Sequence, residues 1–228
     1  HRPARLGLGL VYLSQQAFRQ AREQFREVSM RNPEGVAALD ARLLEGLCLV
    51  RLQRFEEAAG VLRVCLSAAK EPEMIAQAAF YLGEALSGLK RYDPALEAYR
   101  RAIEALPSSK WQSLSLFGVG WAQFQLRDCE ESLATLSRYL EEPDAEQAWE
   151  ARFAQGSCLA ALGQTEQAIA ALRPVVIEPR AGSLAVEGGL LLADLYRQRN
   201  QMAQAAEVLQ HLLDEAPSDA VRAQAHLQ

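Results

Sequence analysis

AQAAFYLGEALSGLKRYDPALEAYRRAIEALP, residues 76–107, carries two apolar stripes separated by a short polar break. In the first half Leu82, Leu86 and Leu89 are spaced by four and three residues, which sets them on one side of a helix, with Gly83 and Ala85 as small neighbours. Gly88, Lys90 and Arg91 interrupt that stripe, and Tyr92, Ala95, Leu96, Tyr99, Ala102, Ile103 and Leu106 resume it in steps of three and four until Pro107. The spacing predicts two helices, A and B, joined by a turn so short that they lie antiparallel. Gly83, Ala95 and Ala102 are small enough to let the two backbones approach closely. A lone hairpin leaves apolar surface uncovered, so this one needs neighbours built the same way.

The rest of the chain supplies them. The small residue of helix A recurs at Gly9, Gly46, Gly83, Gly120, Gly156 and Ala193, in steps of 37, 37, 37, 36 and 37. An independent marker, the small residue of helix B, falls at Ala21, Ala58, Ala95, Ser132, Ala168 and Ala205 with the same five steps. The opener of helix B is Phe18, Phe55, Tyr92, Cys129, Thr165 and Met202, and its later large residue is Phe25, Leu62, Tyr99, Leu136, Leu172 and Leu209. Pro33, Pro72, Pro107, Pro143, Pro179 and Pro217 are expected to close the B helices, because proline cannot continue a helix. Six repeats follow, over approximately 2–34, 35–71, 72–108, 109–144, 145–181 and 182–217, and with no linker-like stretch between them residues 1–228 read as a single domain.

Leu82, Gly83, Tyr92, Ala95, Tyr99, Ala102 and Pro107 occupy the relative positions of the tetratricopeptide repeat pattern, with Ala79 where that pattern usually has tryptophan. The resemblance implies an all-α, right-handed α-solenoid of six helix-turn-helix repeats, and a non-catalytic scaffold that holds a protein or peptide in its concave groove. Residues 218–228 would add a C-terminal helix, either a cap or the first helix of a further repeat, and the chain reads as a piece of a longer repeat protein. The period exceeds the family norm of about 34 residues. This longer form is similar to repeats common in bacterial envelope assembly proteins, which suggests a role in envelope or secretion assembly. The alternatives are a cytosolic chaperone-like or regulatory module of a larger protein, and a module for self-association.

Composition narrows the partner. Half of the residues are apolar, 23% are charged, and the formal net charge is −5, which argues against nucleic acid as the main ligand. No run of about 18 apolar residues is free of charge, so no membrane span is expected. Four cysteines, Cys48, Cys65, Cys129 and Cys158, fall at packing positions and read as buried thiols acting as small hydrophobes. A disulfide between Cys48 and Cys65, which share one hairpin, is the competing reading. Unpaired thiols favour a reducing compartment and so pull against an envelope location, leaving periplasm and cytoplasm both open. No CxxC pair or Cys/His cluster suggests a metal, and no cofactor is expected.

Catalytic constellations are also missing. The histidines are His1, His211 and His226, with His211 expected on the outer face of the last B helix, and no Ser/His/Asp arrangement can be assembled from them. Gly7 with Gly9, and Gly118 with Gly120, look like half of a dinucleotide fingerprint, but their place inside helix A makes packing the better explanation. Glu56 and Glu57, and Glu130 and Glu131, open B helices and suit the helix dipole. No enzyme activity is predicted.

What remains is the groove. The resemblance assigns its wall to fixed places on helix A, which carry over here to Leu43, Leu47 and Arg51 in repeat two and to Phe80 and Glu84 in repeat three. The same places hold Phe117, Trp121 and Phe124 in repeat four, Phe153 in repeat five, and Asp194 and Arg197 in repeat six. Leucines where related co-chaperones use Lys, Asn and Arg make a clamp for a terminal carboxylate improbable. Phe80, Phe117, Trp121, Phe124 and Phe153 instead suit an apolar or amphipathic segment of a partner. Two other fates for these rings are filling space between neighbouring A helices and pairing two copies of the chain.

Overall fold

The computed structural model describes residues 2–31, 36–142, 145–178 and 181–215. Among them are twelve α-helices and no strand. The A helices are α1 (Arg2–Ser14), α3 (Val36–Arg51), α5 (Pro72–Gly88), α7 (Lys110–Leu126), α9 (Ala148–Ala161) and α11 (Ser183–Gln198). They alternate with the B helices α2 (Phe18–Arg31), α4 (Phe55–Ala68), α6 (Tyr92–Ala105), α8 (Cys129–Leu140), α10 (Thr165–Val176) and α12 (Met202–Glu215). The alternation of A and B helices read from the periodicity is therefore present, in an all-α fold of helical repeats. Residues 218–228, where a further helix is expected, lie outside the described residues.

Every A-to-B turn uses one backbone solution. The left-handed region is occupied at Gln16, Gln53, Lys90, Arg127, Gly163 and Asn200, with φ between 58° and 73°. The residue after each returns its N–H to a carbonyl five positions back, as Arg91 does to Leu86 at 2.9 Å and Gln164 to Leu159 at 2.9 Å. The left-handed residue's own N–H returns three positions back, as Lys90 does to Ser87 at 2.9 Å, and this double closure satisfies carbonyls that the helix end would otherwise leave bare. Five of the six left-handed residues are not glycine, so each turn holds some backbone strain that the closure offsets.

The chain forms two compact units, His1–Ala122 and Gln123–Gln228, the boundary falling near the end of α7. In unit 1 each helix from α1 to α6 packs on its neighbour in sequence, and α3 also meets α5 directly. The small residues of helix A act as seats for the large residue of helix B. A Cβ placed on Gly9 would lie 2.5 Å from the Phe25 ring, and one on Gly46 equally close to Leu62. In unit 2 the helices α8 to α12 pack in the same serial way, α9 meets α11, and Leu172 seats on Gly156. The sixth hairpin differs: Leu212, one turn beyond the expected Leu209, is the residue seated on α11, at Gly189 rather than at Ala193. A Cβ on Ala193 leaves no hollow there, so the interlock moves back one turn of the A helix.

Pro72 corrects one expectation. It does not close α4, which ends at Ala68; it is the first residue of α5, where a fixed φ and a missing N–H cost nothing. Pro107 does follow the end of α6, whereas Pro33, Pro143, Pro179 and Pro217 lie outside the described residues. The acidic pairs sit as expected, Glu56 and Glu57 in the first turn of α4 and Glu130 and Glu131 in that of α8. Gly118 is a packing glycine, but Gly7 is not, since a Cβ there would meet nothing within 4 Å.

Candidate functional site

Tyr99 organises the A-helix side of unit 1. Its ring fills the space between α5 and α7, where a Cβ on Gly83 would come within 2.5 Å of it and one on Gly118 within 2.6 Å. A tyrosine only 1% exposed must find a partner for its hydroxyl, and Tyr99 donates to Glu84 Oε1 at 2.6 Å. Burial, then the charge of Glu84 and its acceptance of that hydrogen bond, holds the hydroxyl well above the ordinary tyrosine value. Glu84 is thereby fixed on α5, half-buried, beside Tyr81. Burial raises the Tyr81 pKa, Glu84 adds to the shift, and Arg51 from the end of α3 opposes it. Arg51, Tyr81 and Glu84 thus form one electrostatic neighbourhood on adjacent A helices.

Rings surround that neighbourhood. Phe80 lies 5.2 Å from Tyr81, 5.7 Å from Trp111 and 6.1 Å from Tyr99, and Tyr81 lies 5.8 Å from Trp111. Trp111, absent from the sequence-derived wall, is the buried hub of this group. Its Nε1 donates to Glu73 Oε1 at 2.9 Å, and that bond, followed by one from Gln77, pulls the Glu73 carboxyl below its ordinary pKa. The Lys110 ammonium stands 4.7 Å from the Trp111 ring centre. Further along α7, Phe117 stacks on Trp121 at 5.9 Å with 29° between the ring planes, and both are half-buried.

The remaining predicted positions distribute as follows. Leu47 is half-buried and Arg51 exposed, while Leu43 is buried in the core at 6% exposure and offers no open surface. In unit 2 Phe124 meets Phe153 edge to face at 6.2 Å, but Phe153 belongs to the core around Leu172, Leu192 and Leu195. Asp194 and Arg197 form a solvent-accessible ion pair at 3.2 Å, one turn apart on α11. The rings expected as a uniform wall therefore include both partly open pairs and core fillers. Sequence spacing identifies a helix face, but it does not say how much of that face the next helix covers.

Unit 2 holds a different hollow. A cleft of about 550 Å³ is lined by residues of α10, α11 and α12, among them Ile169, Val176, Leu192, Tyr196 and Val208. His211, on the last B helix as expected, lines it and is half-buried, with Nε2 3.3 Å from the Val176 carbonyl oxygen. All four cysteines are free thiols, Cys48 and Cys65 included. The Cys65 thiol donates to the Leu39 carbonyl oxygen at 3.7 Å. Burial drives the Cys48 thiol up to about 12 and Cys65 to about 11, so both are neutral at ordinary pH. Among the described residues no group of three or more His, Cys, Asp and Glu side chains could hold a metal ion, and no helix is long and apolar enough to cross a membrane.

Comparison with known proteins agrees with this architecture. Tetratricopeptide repeat models match residues 6–72 and 119–183, residues 76–109, and residues 190–222. No curated protein matches the sequence. Among solved structures, the fold is similar to a tetratricopeptide repeat protein from Parabacteroides merdae, 16% identical, with a TM-score of 0.74 over 99% of this chain and 86% of that one. It is also similar to pilF of Pseudomonas aeruginosa, 17% identical, with a TM-score of 0.73 over 99% of this chain and 96% of that one. A third likeness is to YrrB, 19% identical, with a TM-score of 0.66 over 90% of this chain and 98% of that one. At such identities the likeness concerns the fold.

Proposed function

The chain belongs to the tetratricopeptide repeat family, and on that premise we propose that it is a non-catalytic scaffold whose unit 1 holds an apolar or amphipathic segment of a protein partner against its A helices. Repeats of this family serve protein–protein interaction. The observation that carries the finer reading is the stacked, half-buried Phe117–Trp121 pair on α7. In the same unit Arg51 and the tethered Glu84 place opposite charges beside aromatic surface. Rigid rings with few rotamers lose little entropy on binding, and flanking charges can set the orientation of a bound helix. The YrrB structure is described as having an unusual peptide-binding site, which supports peptide capture as a use for such repeats. The 37-residue period leads us to place the scaffold in bacterial envelope or secretion assembly. Four free thiols favour the other setting, a cytosolic module of a larger protein.

The test begins with peptides selected on the whole chain from a displayed library, followed by calorimetric titration of parent and Trp121→Ala protein. Selected peptides should be rich in Leu, Phe or Met at helical spacing, and the variant should bind at least about tenfold more weakly, as expected for a central aromatic anchor. Equal affinity for a variant that keeps its helical circular dichroism would remove the Phe117–Trp121 pair from the site.

A further inference from the structure

We propose that Cys129 and Cys158 are an oxidisable dithiol that closes into a disulfide between α8 and α9, while Cys48 and Cys65 stay reduced. The two helices pack on one another, and the Cys158 and Cys129 thiols lie close enough across that contact to interact electrostatically. Their exposures differ in a useful way. Cys129 is the first residue of α8 and half-exposed, so it is the sulfur that a soluble oxidant reaches first. Cys158 is buried and held in place by Ser132, one turn along α8, which hydrogen-bonds to it. No comparable pair exists at Cys48 and Cys65, where the Cys65 thiol is engaged by the Leu39 carbonyl and Cys48 packs among Ala21, Phe25 and Ala41.

With a small disulfide such as oxidised glutathione as oxidant, the chemistry balances in two exchanges. The Cys129 thiolate attacks one glutathione sulfur, forming a mixed disulfide and releasing one reduced glutathione. Cys158 then loses its proton and attacks the Cys129 sulfur, expelling the second reduced glutathione. The pair has lost two electrons and two protons, and the oxidant has become two thiols. Burial is the main reason that the Cys158 thiol is pushed up to about 12, and Cys129 raises it further. The second exchange is therefore slow at neutral pH and faster in mild alkali. Once Cys129 is in a mixed disulfide, its thiol no longer opposes the ionisation of Cys158. The product staples α8 to α9, the second helix of the fourth hairpin to the first helix of the fifth.

The experiment incubates the whole chain with oxidised glutathione at pH 8, then combines a thiol count under denaturing conditions with peptide mapping by mass spectrometry. The expected result is loss of two of the four thiols and one cross-linked species joining the Cys129 and Cys158 peptides. Cys158→Ser should retain one glutathione on Cys129, Cys129→Ser should keep its three thiols, and the oxidised parent should melt roughly 5 °C or more above the reduced form. The proposal is overturned if the parent keeps all four thiols, retains glutathione on Cys129 as the serine variant does, or forms a cross-link through Cys48 or Cys65.

Discussion

In the third hairpin the residue that α6 seats on α5 is Tyr99; in the fifth, the residue that α10 seats on α9 is Leu172. Both are fully buried, and both stand within 2.5 Å of where a glycine Cβ would be, so the mechanical solution is the same. The difference lies in what the knob carries. Leu172 ends in methyl groups and contributes packing alone. Tyr99 ends in a hydroxyl, which reaches through to Glu84 and holds a carboxylate on the A-helix side of unit 1. One substitution of knob type thus turns a purely structural interlock into one that also positions a polar group at the candidate site.

Removing the knobs tests the shared part of this comparison and should produce the largest effects. Tyr99→Ala is expected to cost about 3–5 kcal/mol and Leu172→Ala about 2–5 kcal/mol, measured by urea unfolding, because each leaves a cavity between packed helices. A loss below about 1 kcal/mol at either site would mean that the seat collapses without it. Filling the seat is the complementary experiment. Gly83→Ala should cost about 1–3 kcal/mol through a clash with the Tyr99 ring. Gly7→Ala on α1 should instead gain up to about 1 kcal/mol, since an alanine there meets nothing and favours the helix.

Tyr99→Phe isolates the part that differs. Its cost should be about 1–2 kcal/mol, the value of a buried hydrogen bond to a carboxylate. The variant should also have a distinct pH profile. The hydroxyl has a raised folded-state pKa, so its contribution is fully present below the ordinary value of 10.0 and is lost as pH climbs toward the folded value. Parent and variant should therefore converge in stability above pH 10, and parallel curves across that range would contradict the assignment. The smallest effect belongs to the turns. Lys90→Gly should gain about 0.5–1 kcal/mol, because glycine adopts the φ of 58° without strain; a loss there would show the lysine side chain to matter more than the backbone.

The alternation of A and B helices was legible because glycine and alanine recur at helix seats, where only a small residue fits. The equally periodic left-handed turn was not. Gln16, Gln53, Lys90, Arg127, Gly163 and Asn200 repeat a backbone conformation while their chemistry varies, so no residue-type marker reveals them. The candidate site was half legible. Phe117 and Trp121 follow from helical spacing and do stack. Trp111 escaped because α7 is apolar on most of its circumference, which leaves periodicity nothing to select. The only hint was that a tryptophan N–H needs a partner, which turned out to be Glu73, one repeat earlier. The thiols show the same limit: residues within one hairpin looked closest, yet α8 and α9, from consecutive hairpins, are equally neighbours.

By itself, the sequence determined the order of the twelve helices among the described residues, the 37-residue period and the small-residue seats. All of these are local or repeat with the chain, and so are recorded in spacing. Only the tertiary structure decided which rings became core and which remained partly open, which carboxylate Tyr99 would hold, and which two thiols would meet. Those outcomes depend on how far one helix covers the next, a quantity that arises between helices and has no period along the chain.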